Sequence, residues 1–190
     1  DKQTQPSLVF LSEELKQKTR GDILLFLLDL DRFKTINDTL GHMIGDILIK
    51  SVAKRITDLF PENSDCLVSR LGGDEFVVVF FNSKSIGNQR IYAQNILKCF
   101  EKPFLLGDHE LFITTSIGVY AHSSQDYNTD IDLIIKHADI AMYKAKEAGR
   151  NKFKVYTSGM DIKVTSKFSI ETKLNQSLRN KDFIIYYQPK

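Results

Sequence analysis

Hydrophobic residues recur along this chain with two different spacings, one typical of strands and one typical of helices. The longest apolar run extends from Ile23 to Leu28, and it predicts a buried central strand over Ile23–Leu30. Apolar positions three and four residues apart predict helices over residues 8–18, 35–40, 45–60, 86–100 and 131–148. Runs rich in β-branched and aromatic residues predict further strands over residues 66–71, 76–81, 111–121 and 153–156.

The order of these elements determines the predicted fold class. The strands at residues 66–71 and 76–81 follow each other in the middle of the chain with no helix between them. Because such a pair forms an antiparallel hairpin, the pattern excludes a purely parallel, doubly wound sheet. It predicts an α/β protein of the α+β kind, with a central mixed β-sheet that is flanked by helices.

Composition and charge exclude several classes of function. The formal net charge is +2 and the sequence has no basic block, so we expect no nucleic-acid partner. Its apolar runs are shorter than the roughly 20 residues of a membrane-spanning helix, so we expect no membrane contact from this segment. Cys66 and Cys99 form neither a metal-ligand spacing nor a disulfide framework, which indicates a reducing, cytoplasmic location.

The last part of the sequence differs from the rest. Residues 157–160 are typical of a domain edge, residues 168–178 have a helical pattern, and residues 183–187 form a strand-like run before Pro189. A lone strand without a partner indicates the beginning of a second domain. Because the first residue is not Met, we expect a piece of a longer protein, which is either cytoplasmic throughout or the cytoplasmic part of a membrane-attached sensor.

The most informative segment is the sequence RLGGDEF at residues 70–76, which lies between two β-rich runs. Adjacent glycines supply the positive φ angles of a tight turn, so Gly72 and Gly73 predict the tip of a hairpin. Asp74 and Glu75 add two carboxylates to a tip whose other half has no side chains. The pattern indicates a nucleotide site, where an anion approaches the backbone and a metal ion binds the acids.

A second acidic segment directly follows the predicted buried strand. Asp29 and Asp31 lie at the carboxyl end of that strand, where α/β proteins bind their ligands. If the hairpin lies beside the strand, Asp29 and Asp74 converge, and two carboxylates with a backbone carbonyl suit Mg²⁺. The alternative is structural, with Asp31 capping the next helix and Asp29 serving only as a polar residue after a strand.

Two further pairs of residues have both a functional and a structural interpretation. Asn37 and a buried Asp46 could bind the donor groups of guanine, or both could belong to a turn-rich loop. Lys146 and Arg150 lie at the end of the last long helix. They could reach toward terminal phosphates, or they could only complement the helix dipole.

Three segments, taken together and in this order, resemble one protein family. They are DLDRFKTINDTLGH at residues 29–42, RLGGDEF at residues 70–76 and ADIAMYKAKEAGRN at residues 138–151. Residues 1–157 resemble the GGDEF domain of the diguanylate cyclases. Residues 174–189 resemble the start of an EAL phosphodiesterase domain, so we expect residues 158–190 to be a linker helix and the first strand of a truncated EAL domain.

The resemblance implies a palm-like nucleotide-cyclase fold whose hairpin carries the signature. It implies an enzyme of bacterial signalling that condenses two GTP molecules into cyclic di-GMP and releases pyrophosphate. Asp29, the Leu30 carbonyl and Asp74 would bind Mg²⁺ or Mn²⁺. Glu75 would help to bind the metal and activate the attacking 3′-hydroxyl, so the implied catalytic residues are Asp74 and Glu75.

The resemblance also implies the contacts with GTP. Asn37 and Asp46 would hold guanine. The phosphates would contact the backbone of Arg32, Phe33, Lys34, Gly72 and Gly73 and the side chains of Lys146 and Arg150. Because one site holds one GTP, turnover would need a homodimer in which each subunit supplies a 3′-hydroxyl to the other.

Two departures from the family pattern leave a second function open. The family's inhibitory Arg-x-x-Asp site is missing, because Asn63 and Cys66 occupy its positions. The usual opening motif is reduced to Asp1 and Thr4. The alternative to an active cyclase is therefore a catalytically weak or inactive GTP-binding module that controls an attached EAL phosphodiesterase.

Overall fold

The computed structural model describes residues 21–60, 65–81, 86–123 and 130–161. The elements, in chain order, are β1 (Ile23–Leu30), α1 (Phe33–Leu40), α2 (His42–Thr57), β2 (Cys66–Gly72), β3 (Glu75–Phe80), a 3₁₀ turn (Ile86–Asn88), α3 (Gln89–Cys99), β4 (Phe104–Leu106), β5 (His109–Leu111), β6 (Thr115–His122), α4 (Ile131–Glu147) and β7 (Lys152–Val155). The predictions for residues 1–18, Asn63, 168–178 and 183–187 lie outside the described residues.

The centre of the protein is a five-stranded sheet in the order β2-β3-β1-β6-β7. β1 lies in the middle and pairs antiparallel with β3 on one side and with β6 on the other. β6 and β7 pair in parallel. The sheet is therefore mixed, as the sequence predicts, and the uninterrupted apolar run of β1 explains its central position.

Alternate residues of β1 enter two hydrophobic cores, one on each face of the sheet. Leu24, Phe26 and Leu28 pack in a core that α1, α2 and α3 cover. Leu25 and Leu27 pack in a second core that α4 covers. These two cores confirm the prediction of a sheet that is flanked by helices, and they fix β1 so that its end can position a site.

Helix α4 packs so closely on β6 that the strand needs a glycine at the contact. A Cβ atom at Gly118 would overlap the carbonyl oxygen of Ala138 and the backbone nitrogen of Met142. Both are backbone atoms of a helix, and neither can rotate away as a flexible side chain could. This close packing sets the distance between α4 and the sheet, and α4 carries Lys146 toward the end of β1.

Several observed elements differ from the predicted ones; for example, the strand predicted over residues 111–121 begins at Thr115. Helix α2 begins at His42 rather than at residue 45, because Gly41, with a φ of 85°, alone separates it from α1. The interpretation of the segment between Asn37 and Asp46 as a turn-rich loop is therefore wrong. The hairpin of β4 and β5 is absent from the predictions, because strands of three residues are too short to show an alternating pattern.

The signature hairpin also differs in detail from its prediction. Gly72 pairs with Glu75, so the turn consists of Gly73 and Asp74 rather than of the two glycines. The register between β2 and β3 shifts between Arg70 and Gly72, which marks an irregularity just before the turn. Asp74 therefore lies on the turn itself, and Glu75 is the first residue of β3.

Contacts between residues divide the chain into two units, Asp1–Tyr156 and Thr157–Lys190. In the described part of the second unit, the Met160 N–H donates to the Thr157 carbonyl oxygen at 2.8 Å. The domain division at residues 157 and 158 stays a prediction. Within the described ranges, no helix has both the length and the apolar character needed to cross a membrane.

Candidate functional site

The candidate site lies where β1 ends beside the signature hairpin. Asp29 is directly opposite Glu75 in the antiparallel register of β1 and β3. The Leu30 N–H donates to the Asp74 carbonyl oxygen at 3.2 Å. Strand pairing therefore brings Asp29, Asp74 and Glu75 to the same edge of the sheet, with the backbone of Leu30 between them.

The tip of the hairpin is open to solvent and has a fixed shape. Gly72 and Gly73 are exposed, and nothing lies within 4 Å of a Cβ atom built on either of them. The Arg70 guanidinium donates from Nε and Nη2 to the Gly73 carbonyl oxygen at 3.0 and 2.7 Å. A ligand can therefore reach the backbone of the tip. Arg70 has no role in the predictions above, because this contact follows only from the register of the hairpin.

Helix α4 adds a cation and a further acid to the cluster. The Lys146 ammonium forms an ion pair with Asp29 Oδ2 at 2.6 Å. Its position is therefore not explained by the helix dipole alone. Asp139 lies about two turns earlier on the same face of α4. Asp139 is absent from the predicted site residues, although its helical spacing from Lys146 is a signal that the sequence contains.

Burial makes three acids of the site, Asp29, Glu75 and Asp139, hold their protons more tightly than usual, with a pKa above the ordinary value. Burial raises the pKa of Asp29, and the charge of Asp74 adds to the rise while Lys146 opposes it. Burial, followed by the charges of Asp29 and Asp139, raises the pKa of Glu75. Burial also raises the pKa of Asp139. Carboxylates that disfavour each other's charge in this way are typical of functional sites that bind cations.

The donor groups at this edge fit a divalent metal ion by their chemistry. Mg²⁺ and Mn²⁺ prefer oxygen ligands, and Asp29, Asp74 and the Leu30 carbonyl supply them at adjacent strand ends. Among the described residues, no group of three or more His, Cys, Asp and Glu side chains is arranged to hold a metal ion. A metal here would therefore depend on the carbonyl and on phosphate oxygens of a bound nucleotide, which Mg²⁺ commonly uses.

Helix α1 begins immediately after the acids. Arg32 precedes its first residue in the left-handed conformation, with φ 60° and ψ 24°, and no side chain caps the helix. The first N–H groups of any helix lack partners within the helix, and they favour an anion at that end. Arg32 and Lys34 are exposed, whereas Phe33 is buried and anchors the first turn in the core.

Asp31 is buried and does not cap α1. Its carboxylate accepts hydrogen bonds from Thr114 Oγ1 at 2.6 Å, from Ser116 Oγ at 2.7 Å and from the Asn151 N–H at 3.1 Å. The structural alternative given above for Asp31 is therefore wrong, because its side chain points into the protein rather than along the helix. The sequence gives no signal for this role, since all three donors are distant in the chain.

The predicted guanine pair lies on two adjacent helices, with Asn37 on α1 and Asp46 on α2. Asn37 Oδ1 is buried and lacks a hydrogen-bond partner among the described residues. A Cβ atom at Gly45 would overlap this oxygen, so the Asn37 amide packs directly on Gly45. Asp46 is exposed, and the expectation of a buried carboxylate is wrong, because the residue lies on the solvent side of α2.

Arg150 lies in the turn between α4 and β7. Gly149, Arg150 and Asn151 all have positive φ angles, of 105°, 60° and 46°. The Arg150 side chain is exposed. The structure thus places Lys146 directly on the acid cluster and Arg150 just beyond it along the chain.

Residues 8–152 match the family described as the diguanylate cyclase GGDEF domain. The chain belongs to the GGDEF family. This membership supports a part in cyclic di-GMP signalling. In this chain the family signature at residues 70–76 lies beside the end of β1, next to Asp29.

Two relatives illustrate the range of this family. The chain is 38% identical over 163 residues to the cyclic di-GMP phosphodiesterase PdeR of Escherichia coli. The matched segment covers 86% of this chain and 24% of PdeR. It is 33% identical over 182 residues to the bifunctional diguanylate cyclase/cyclic di-GMP phosphodiesterase MucR of Pseudomonas aeruginosa, which covers 95% of this chain and 26% of MucR. The chain thus spans about a quarter of the length of these relatives.

A solved structure supports the fold independently. The crystal structure of the GGDEF domain of PA1120, also called YfiN or TpbB, from Pseudomonas aeruginosa matches with a TM-score of 0.73 and 30% identity. The match covers 81% of this chain and 98% of that one. The five-stranded sheet and its helices are therefore those of a GGDEF domain.

Proposed function

We propose that this domain is a diguanylate cyclase that binds GTP with Mg²⁺ or Mn²⁺ and acts as a homodimer. The observation that supports this proposal most is the acid cluster at the end of β1, where Asp29, Asp74 and Glu75 lie with Lys146. Partial burial and neighbouring negative charges raise the pKa of Asp29 and of Glu75, so these two carboxylates destabilise the fold when they are ionised. A domain with no chemistry to perform has no need of them.

The proposed binding mode places GTP across the carboxyl end of β1. Asn37 and Asp46 hold guanine, with the Asn37 amide kept in place by Gly45. The triphosphate lies between the start of α1 and the open backbone of the hairpin tip at Gly72 and Gly73. The side chains of Lys146 and Arg150 contact the β- and γ-phosphates. Lys146 exchanges its present ion pair with Asp29 for these phosphate contacts when the nucleotide binds.

The proposed reaction joins two such sites, one from each subunit. The 3′-oxygen of one GTP forms a bond to the α-phosphorus of the other, and the bond from that phosphorus to pyrophosphate breaks. A divalent ion held by Asp29, Asp74 and the Leu30 carbonyl would supply charge neutralisation at the phosphate oxygens. Glu75 takes up the hydroxyl proton, and a pKa above the ordinary glutamate value makes its carboxylate a stronger base. A second, identical transfer closes the ring.

A second function has its own support. The relative PdeR carries the name of a phosphodiesterase and is 38% identical to this chain. The alternative proposal is a GTP-binding module that makes little or no product and controls an attached EAL domain. It predicts that GTP changes the phosphodiesterase rate of the full-length protein while the present chain stays inactive as a cyclase.

Incubation of the chain with GTP and either Mg²⁺ or Mn²⁺, followed by chromatography, tests the cyclase proposal. We expect cyclic di-GMP and two pyrophosphates for each product molecule. The specific activity should rise with protein concentration, because turnover needs two subunits. If no product forms with either metal at any protein concentration, the cyclase proposal is contradicted and the regulatory one is favoured.

A further inference from the structure

Asp31 is a buried carboxylate that the proposed chemistry does not use. Its residue is 7% exposed, and its two oxygens accept hydrogen bonds from Thr114, Ser116 and Asn151. Its own N–H donates to the Thr114 carbonyl oxygen at 2.9 Å. One residue thereby joins the end of β1, the approach to β6 and the turn between α4 and β7.

The turn that Asp31 contacts has an unfavourable backbone. Arg150 and Asn151 are consecutive non-glycine residues with φ angles of 60° and 46°. Residues other than glycine rarely adopt this left-handed region, because their Cβ atom crowds the following carbonyl oxygen. Two such residues in succession need support from outside the turn.

Most of the turn's other contacts come from its own helix. The Arg150 N–H donates to the Ala145 carbonyl oxygen at 3.1 Å, and Lys152 Nζ donates to the Ala148 carbonyl oxygen at 2.7 Å. These bonds shape the turn but do not relate it to the acid cluster. The bond from the Asn151 N–H to Asp31 Oδ2 does so, because Asp31 follows Asp29 by two residues on the same strand end.

We propose that Asp31 is a positioning residue for Arg150. The N–H that donates to the Asp31 carboxylate belongs to the peptide group between Arg150 and Asn151. Asp31 therefore fixes the backbone from which the Arg150 guanidinium extends. This inference rests on the proposed function, in which Arg150 contacts the terminal phosphates of GTP. Asp31 itself touches no substrate.

The negative charge of Asp31 is part of this role. Oδ2 accepts from both Thr114 Oγ1 and the Asn151 N–H, and a carboxylate oxygen accepts two donors readily. An asparagine has the same shape but carries an NH₂ group in place of one oxygen. If its NH₂ group faces Asn151, the turn loses its anchor. If its amide oxygen faces Asn151, the turn keeps an anchor that is uncharged and therefore weaker.

A series of guanine nucleotides tests the proposal. The affinities of the chain for GMP, GDP and α,β-methylene-GTP are measured by calorimetry with Mg²⁺ for the wild type, Asp31→Asn, Arg150→Ala and the double variant. We expect Asp31→Asn to weaken the triphosphate about tenfold or more relative to GMP, the usual effect of losing one charged contact. Relative to GMP, the double variant should bind the triphosphate no more weakly than Arg150→Ala alone does.

The matched control is Ser116→Ala, which removes a donor from Asp31 Oδ1 and leaves the Oδ2 contact with Asn151 in place. It should retain the wild-type ratio of triphosphate to GMP affinity. If Asp31→Asn fails to fold by circular dichroism, Asp31→Glu replaces it, because it keeps the charge and moves the oxygens by one methylene. The same change of ratio is expected.

The outcomes separate the two proposals. An equal loss for all three nucleotides, or additive losses in the double variant, would show that Asp31 serves only the fold, and the positioning role would be overturned while the proposed function stands. A wild type that binds none of the three nucleotides would overturn the proposed function and the inference with it.

Discussion

Glu75 is partly buried among Asp29, Asp74 and Asp139, and Lys146 is the cation that opposes their charge. Burial and these like charges raise its pKa, which means that the folded protein disfavours the ionised side chain. The same residue is the one that the proposed chemistry needs most. A residue that supports activity at the expense of stability has a measurable signature.

That signature is the stability of Glu75→Gln as a function of pH. Because the folded pKa of Glu75 lies above its unfolded value, the wild type loses stability as pH rises through the folded pKa. The variant carries no such group. In metal-free buffer, its Tm should exceed the wild-type Tm by a few degrees at neutral pH, and the gap should close toward about pH 4, where glutamates are largely protonated. Scanning calorimetry across this range checks the prediction.

The exposed residue Glu110 on β5 provides the control for that experiment. Glu110→Gln should leave Tm almost unchanged at neutral pH, since the residue is exposed. A Glu75→Gln variant that is less stable than the wild type at neutral pH would refute the claim that the cluster destabilises the fold.

Gly45 makes a second residue-scale prediction. A Cβ atom there would overlap Asn37 Oδ1, so Gly45→Ala should displace the Asn37 amide from its packing position on α2. We expect GTP affinity to fall about tenfold with the fold retained, as for the loss of one buried polar contact. Isothermal titration with GTP measures the change.

Gly87 is the matched position for this test. It is exposed, and nothing lies within 4 Å of a Cβ atom built on it. Gly87→Ala should therefore bind GTP as the wild type does. Unchanged affinity in Gly45→Ala would show that the Asn37 amide is not a guanine contact.

At the scale of elements, the predicted strands and helices agree best with the structure where the pattern of apolar residues is compatible with one kind of packing. The predicted bounds of β1 agree with the observed ones, because an uninterrupted apolar run between polar residues fits only a strand that is buried on both faces. The long helices are predicted for the same reason, since their inner faces repeat at helical spacing. Helix α2 begins at His42 rather than at the predicted residue 45, because Gly41 alone separates it from α1.

What the sequence could not predict depends on contacts between distant residues. The burial of Asp31 is one example, since its donors Thr114, Ser116 and Asn151 belong to later parts of the chain. The β4–β5 hairpin is missing from the predictions for a different reason, because its strands have three residues each and are too short to show an alternating pattern. The site residues were named through motifs, but their convergence needs the register of β1 with β3.

Gly118 makes the prediction for the packing of α4 on the sheet. The Cβ atom of Gly118→Ala would meet the backbone of α4 at Ala138 and Met142, so the helix would have to shift away from β6. We expect a loss of about 1–3 kcal/mol in the free energy of unfolding, as for overpacked cores. Urea denaturation measures it, and Gly87→Ala should show almost no loss. Equal stability of the two variants would contradict the observed packing.

At the scale of the whole molecule, the chain corresponds to one part of its longer relatives. The relatives it matches are about four times as long as the matched segment. One is named as a phosphodiesterase and the other as a bifunctional enzyme, although both contain a segment similar to this chain. The names of these relatives favour neither of the two proposed functions, and activity of the acid cluster is what separates the proposals.

The most direct test compares cyclic di-GMP formation by the wild type and Glu75→Gln over a range of protein concentrations, with GTP affinity measured in parallel. We predict that the wild type forms product and that the variant forms at least about 100-fold less, with GTP affinity changed by less than about threefold. Such a split marks a group that acts in the transition state. A wild type that binds GTP but forms no product, or a variant as active as the wild type, would contradict the central claim.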